Sequence, residues 1–243
     1  MYTYQLFSAA SARLQVPESG FYLSELSAPK RWPILTFLPT GFEPQYAYPL
    51  LVFLHGRGAS ERQLIPWMPA LSRRNYVAIA LRGPYSLRGK RVRDSGYVWL
   101  DSRRPAEEVI EDYLFAAVEE TSRRLRIHPR RIFLVGFCEG AQVAYRVALR
   151  HPHHFGGLVV LNGTLPSTRP LLRLPEARSL PVFIAHGIAN AVIPLSAARK
   201  AAQLLHLAGL AVDLRLYPTT HRLHPAMLQD ANHWLMNLVT ATP

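Results

Sequence analysis

The run Gly136-Phe-Cys-Glu-Gly140 constrains this chain more than any other stretch, because of what flanks it. An apolar, strand-type segment from Arg131 leads into it, and a helix-forming segment, Ala141 to Leu149, follows at once. A nucleophile placed between two glycines at a strand-to-helix junction sits on a sharp, strained turn. Its side chain then projects above the strand ends, and the next backbone N–H points at the reacting carbonyl. The residue at the tip is Cys138, where a serine would be usual. It is the single cysteine of the chain, so no internal disulfide can form and it must be read as a thiol.

The rest of the chain supplies the frame for such a turn. Tyr2 to Phe7, Ile34 to Leu38, Tyr48 to Leu54, Tyr76 to Leu81, Gly157 to Leu161, Pro181 to Ala185 and Asp213 to Tyr217 read as strands. Ser60-Glu-Arg-Gln63 has capping-box spacing and predicts a helix to about Leu71. Pro105 to about Leu125, Leu195 to Ala208 and Pro225 to about Val239 predict three more, the first with Glu107, Glu108, Glu111 and Asp112 crowding its positive end. Strands alternating with helices at this spacing imply an α/β fold, a mainly parallel sheet covered on both faces, in one domain spanning residues 1–243. Ligands bind at the carboxyl ends of the strands in such sheets, where the Cys138 turn falls.

Composition narrows the setting. No apolar run approaches the ~18 residues of a membrane span, and the start lacks the basic and apolar regions of a signal peptide, so a cytoplasmic protein is the default expectation. The excess of 28 basic over 16 acidic residues gives +12. The arginines are dispersed, often as isolated pairs, which fits a solvated surface and not a nucleic-acid stripe. The exception is the cluster Arg82, Arg88, Lys90, Arg91 and Arg93, a candidate dock for an acidic partner such as an acyl carrier protein.

Partners for the thiol can be sought where the architecture allows. A nucleophile on such a turn is followed in chain order by an acid and then a histidine. Pro218-Thr-Thr-His221 supplies the histidine; His224 directly precedes Pro225 and fits a helix cap better. The loop expected to carry the acid reads His186-Gly-Ile-Ala-Asn190, and the alternative loop after Leu161 also offers an amide, Asn162. The expected triad is therefore Cys138, His221 and Asn190. A thiol ionises far more readily than a hydroxyl, so a preformed thiolate–imidazolium pair is expected, with the amide needed mainly to orient the ring and Asn190→Asp tolerated. The backbone N–H groups of Arg57 and Glu139 are the candidate oxyanion hole, and Glu139 itself is expected to point outward or to meet a polar part of the substrate. Trp67, Tyr85, Tyr97 and Trp99 lie in loops expected to overhang the turn, as acyl-pocket walls or as ordinary packing. His55 and His186 end buried strands and read as structural, and His151-Pro-His-His154 reads as a loop, with no metal site.

The ordered set Leu-Val-Phe-Leu-His-Gly-Arg-Gly (51 to 58), Gly-Tyr-Val-Trp-Leu-Asp (96 to 101), Gly-Phe-Cys-Glu-Gly-Ala-Gln-Val-Ala (136 to 144), His-Gly-x-x-Asn-x-Val-Ile-Pro (186 to 194) and Tyr-Pro-x-x-His (217 to 221) resembles the phospholipase/carboxylesterase family of α/β-hydrolases, which includes acyl-protein thioesterases. The resemblance covers roughly residues 45 to 240. It implies an α/β-hydrolase fold and cleavage of a small-molecule ester or thioester without a metal or organic cofactor. The cysteine nucleophile is similar to that of dienelactone hydrolases. A cysteine acyl-enzyme can also pass its acyl group to an amine or thiol, so acyl transfer is the first alternative. A non-catalytic binding protein that keeps the pocket is the second.

Overall fold

The computed structural model describes residues 4–6, 18–26, 32–87, 96–101, 107–166 and 175–241. Among the described residues nine strands form one sheet: β1 (Tyr4–Leu6), β2 (Gly20–Glu25), β3 (Pro33–Leu38), β4 (Tyr48–Leu54), β5 (Val77–Leu81), β8 (Ile127–Phe137), β9 (Gly157–Leu161), β10 (Val182–Gly187) and β11 (Val212–Tyr217). Their order is β1-β2-β3-β5-β4-β8-β9-β10-β11. From β5 onward every neighbouring pair is parallel, whereas β2 and β3 form an antiparallel pair and β3 runs antiparallel to β5. A separate small hairpin joins β6 (Tyr85–Leu87) and β7 (Gly96–Val98).

The centre of the sheet follows from sequence alone. All seven residues of β4 are buried, as a continuous apolar run requires when both sheet faces are covered. Side chains alternate between two cores. Leu50, Val52 and Leu54 pack with residues of α2 (Glu107–Arg124), α3 (Glu139–Arg150) and α4 (Leu195–Leu207), while Leu51 and Phe53 pack on the other face with residues of α1 (Trp67–Leu71) and α5 (Pro225–Ala241). Among the described residues no helix is long and apolar enough to cross a membrane.

Three local expectations needed revision. Gly20–Glu25 is a strand additional to those expected, and its six residues pair in full with β3. The stretch 82–104, where no strand was expected, contains the β6–β7 hairpin. The helix expected from Ser60 to Leu71 is broken: a 3-10 turn, Glu61–Leu64, is followed by Pro66 and then α1. Proline supplies no N–H for a continuing helix. Gln63 does not close a capping box; its Oε1 accepts from Gly56 N–H at 3.0 Å, tying the turn to the loop after β4. Pro105, expected to open α2, lies outside the described residues.

Candidate active site

Cys138 joins β8 to α3 with φ 55° and ψ −114°, a conformation that costs an L-residue roughly 1–3 kcal/mol and persists only where its surroundings enforce it. The flanking glycines show how. A Cβ on Gly136 would stand 2.5 Å from Cα of Ala141, and a Cβ on Gly140 would collide with the carbonyl oxygen of Leu54. Close approach of β4, β8 and α3 thus demands glycine at both positions.

Cys138 and His221 line the same cavity, of about 430 Å3, whose other described walls are Gly56, Arg57, Gln63, Trp67, Phe137, Arg222 and Leu223. His221 packs on Phe137 with ring centroids 5.1 Å apart. Behind His221, Asn190 Oδ1 accepts from Val192 N–H and Ile193 N–H, both at 3.0 Å, and lies 3.1 Å from His221 Nδ1. Two backbone donors fix that atom as oxygen, so Nδ1 carries the proton and Nε2 is left as the basic nitrogen of the ring. The other end of the Asn190 amide, Nδ2, donates to Asn162 Oδ1 at 3.2 Å. Asn162 is fixed in turn: its Oδ1 also accepts from Gly187 N–H at 2.9 Å, and its Nδ2 donates to the carbonyl of Arg222 at 3.1 Å. Asn162 is fully buried, with φ 48°. The two asparagines weighed as alternatives for one position therefore work in series, a relation that no spacing rule reveals.

This network revises the expected tolerance of Asn190→Asp. A carboxylate would place its second oxygen against Asn162 Oδ1, and Asn162 cannot turn without unpairing Gly187 N–H and the Arg222 carbonyl. At neutral pH the variant is expected to lose about 1–3 kcal/mol, the cost of a buried polar group without a matching partner. Thermal unfolding of the variant beside the unchanged protein at pH 5 and pH 8 checks this; equal melting at pH 8 would show that the amide pairing is dispensable.

The electrostatics also depart from the expected ion pair. Burial pushes the Cys138 thiol above its ordinary range, and the Glu139 charge adds to this. The backbone N–H groups of Arg57 and Glu139 and the Arg57 charge oppose it without reversing it. Burial holds the His221 imidazole below its ordinary value of 6.5, and the charge of nearby His186 acts in the same sense. Both shifts act against the charged forms, the opposite of what a preformed ion pair requires.

Glu139 points inward. It is 5% exposed; Oε1 takes Arg57 Nη1 at 2.7 Å and Oε2 accepts from Trp99 N–H at 2.9 Å. The carboxylate clamps the loop that carries the Arg57 N–H to the start of α3. Gly58 N–H donates to the carbonyl of Tyr97 at 2.9 Å, holding the same loop from the other side.

Of the four aromatic residues expected over the turn, Trp67 lines the cavity and the other three do not. Trp99 is a core residue, 1% exposed, with Nε1 donating to the His55 carbonyl at 3.0 Å. Tyr85 and Tyr97 sit in the β6–β7 hairpin, and the Tyr97 ring lies under the Arg82 guanidinium, 4.7 Å from its centroid. The walls that sequence reasoning missed, Gln63, Phe137, Arg222 and Leu223, adjoin motif positions, and only the folding of their loops turns them inward. His55 and His186 are fully buried. Gly83 N–H donates to His55 Nε2 at 2.8 Å, and His186 Nε2 lies 3.0 Å from the carbonyl of Ile193. Within the basic cluster, Arg82 is committed to the buried carboxylate of Glu61; Arg88, Lys90, Arg91 and Arg93 lie outside the described residues.

Comparison with known proteins places the chain in a family. The phospholipase/carboxylesterase family model matches residues 43–239, a span that includes the turn, the loop after β4 and both the Asn190 and His221 loops. The chain belongs to the phospholipase/carboxylesterase family. Among curated relatives of the family, a rice protein (Oryza sativa subsp. japonica) named as a probable carboxylesterase is 30% identical over 119 residues, 48% of this chain and 45% of that protein. The chain thus matches about half the length of that relative. Among solved structures, esterase PE8 superposes with a TM-score of 0.70 at 24% identity, covering 89% of this chain and 99% of that one. Arabidopsis thaliana SOBER1 superposes with a TM-score of 0.68 at 19% identity, covering 79% of this chain and all of that one. These likenesses establish the α/β-hydrolase fold.

Proposed function

We propose that this member of the family is a hydrolase that cleaves a carboxylic ester or thioester through an acyl-cysteine intermediate. The observation that carries the reading is that Cys138 and His221 line one cavity while Asn190 Oδ1 lies 3.1 Å from His221 Nδ1 and holds the proton there. In the proposed first step His221 Nε2 takes the Sγ proton as sulfur attacks the acyl carbon. The Arg57 and Glu139 N–H groups, which favour negative charge on the sulfur, receive the oxyanion. Collapse of the tetrahedral intermediate breaks the bond to the leaving oxygen or sulfur, which takes the proton from Nε2. Water, deprotonated by the same nitrogen, then releases the acid and restores the thiol.

Shifts against charge fit this order of events. A thiol held protonated by burial is still much more acidic than a hydroxyl, and it loses its proton to the ring as the bond to carbon forms. The acyl-enzyme is the species that distinguishes the reading. Rapid acid quenching of the protein with a short 4-nitrophenyl ester is expected to give a population heavier by one acyl group, mapped by peptide mass to Cys138 and absent in Cys138→Ala. Inclusion of a primary amine separates hydrolysis from transfer by the product formed. Ester turnover without an adduct on Cys138 would overturn the mechanism, and no turnover and no adduct with any ester or thioester would favour a binding protein.

A further inference from the structure

The cavity carries a charge pattern that the proposed chemistry does not require. The two charged side chains among its described walls are both guanidinium groups, Arg57 and Arg222. The carboxylate that meets Arg57, Glu139, is not one of the described walls, and both its oxygens are engaged. Arg57 gives Nη1 to that carboxylate and keeps its side chain 57% exposed. Arg222 is exposed, and its guanidinium has no ion-pair or hydrogen-bond partner among the described residues. Its backbone is nevertheless fixed, since its carbonyl accepts from the buried Asn162 amide and it directly follows His221. A cation whose base is locked beside the reacting imidazole, and whose head is left unneutralised at a cavity wall, is placed to meet a charged ligand. Trp67, Phe137 and Leu223 supply the apolar remainder of the wall.

We propose that the site selects acyl esters or thioesters bearing an anionic group, a carboxylate or a phosphate, bound by Arg222 with Arg57. This rests on the hydrolase reading for its reaction but not for its binding claim, and the two are tested apart. For turnover, 4-nitrophenyl butyrate is compared with the 4-nitrophenyl monoester of glutaric acid, which places the anion on the acyl side. S-butyryl-N-acetylcysteamine is compared with butyryl-coenzyme A, which places phosphate on the leaving side. In at least one pair the ratio of charged to neutral kcat/KM is expected to exceed one, to fall roughly fivefold to tenfold in Arg222→Gln, and to invert in Arg222→Glu. High salt should lower the same ratio. For binding, glutarate is expected to slow iodoacetamide alkylation of Cys138 where butyramide does not, and to lose that effect in Arg222→Glu. Turnover that is indifferent to the charge pair and to Arg222, together with no protection by glutarate, would overturn the anion site alone. No turnover with protection intact would overturn the hydrolase reading and leave the anion site standing, and loss of both would overturn both.

Discussion

Cys138→Ser is expected to fold normally and to lose about four orders of magnitude in kcat/KM on a short acyl ester. The substitution restores the residue usual at such a turn, so a sequence comparison would favour activity. The structure argues otherwise. Attack by a hydroxyl requires His221 to hold a full positive charge in the transition state, and the group behind it is the Asn190 amide. Exchanging carboxylate for amide behind a serine-activating histidine costs about 10⁴ in kcat. Burial and the His186 charge already disfavour the imidazolium here, which leaves no reserve for a weaker acid. Steady-state assay of the purified serine variant, with unfolding followed in parallel, decides the matter; a serine variant within tenfold of the cysteine protein would show that Asn190 suffices for a hydroxyl nucleophile.

His221→Ala is expected to abolish turnover, with a fall on the order of 10⁵ to 10⁶ in kcat, because members of a nucleophile–base unit fail together. His224 cannot substitute, since its Nδ1 accepts from Ala226 N–H at 3.2 Å as a cap of α5. The pH profile gives the complementary sign. An imidazole displaced downward stays neutral to lower pH, so the acid limb of kcat/KM should fall below the 6.5 of an unperturbed histidine. The thiol is displaced upward, so the half-point of alkylation of the free protein should lie at higher pH than that of an unperturbed thiol. An alkylation half-point well below 8 would mean that a thiolate–imidazolium pair exists at rest after all.

The parts of the site legible in the sequence are those decided by short-range geometry. The strand, the two glycines and α3 are contiguous, and the steric demand at Gly136 and Gly140 is a local one, so the turn at Cys138 could be read residue by residue. The buried strands β4 and β9 were legible because a run of apolar residues fits only the middle of a covered sheet. Gly20–Glu25 was not, because its mixed composition becomes a strand only through pairing with β3. Glu139 was misjudged for a similar reason. Its partner Arg57 stands 82 positions away, and nothing near Glu139 in the chain announces an inward carboxylate.

The amino-acid order by itself determined the central buried strands and the helices between them, the place of a thiol at a strained turn, and which loops could bring an imidazole and an amide toward it. Only the tertiary structure decided which nitrogen of His221 is basic, that Asn162 and Asn190 share one hydrogen-bond chain, and that burial works against charge on both thiol and ring. Periodicity and glycine sterics act over a few residues, whereas desolvation and hydrogen-bond complementarity are set by whatever the fold places alongside, and here those neighbours come from loops tens of residues apart.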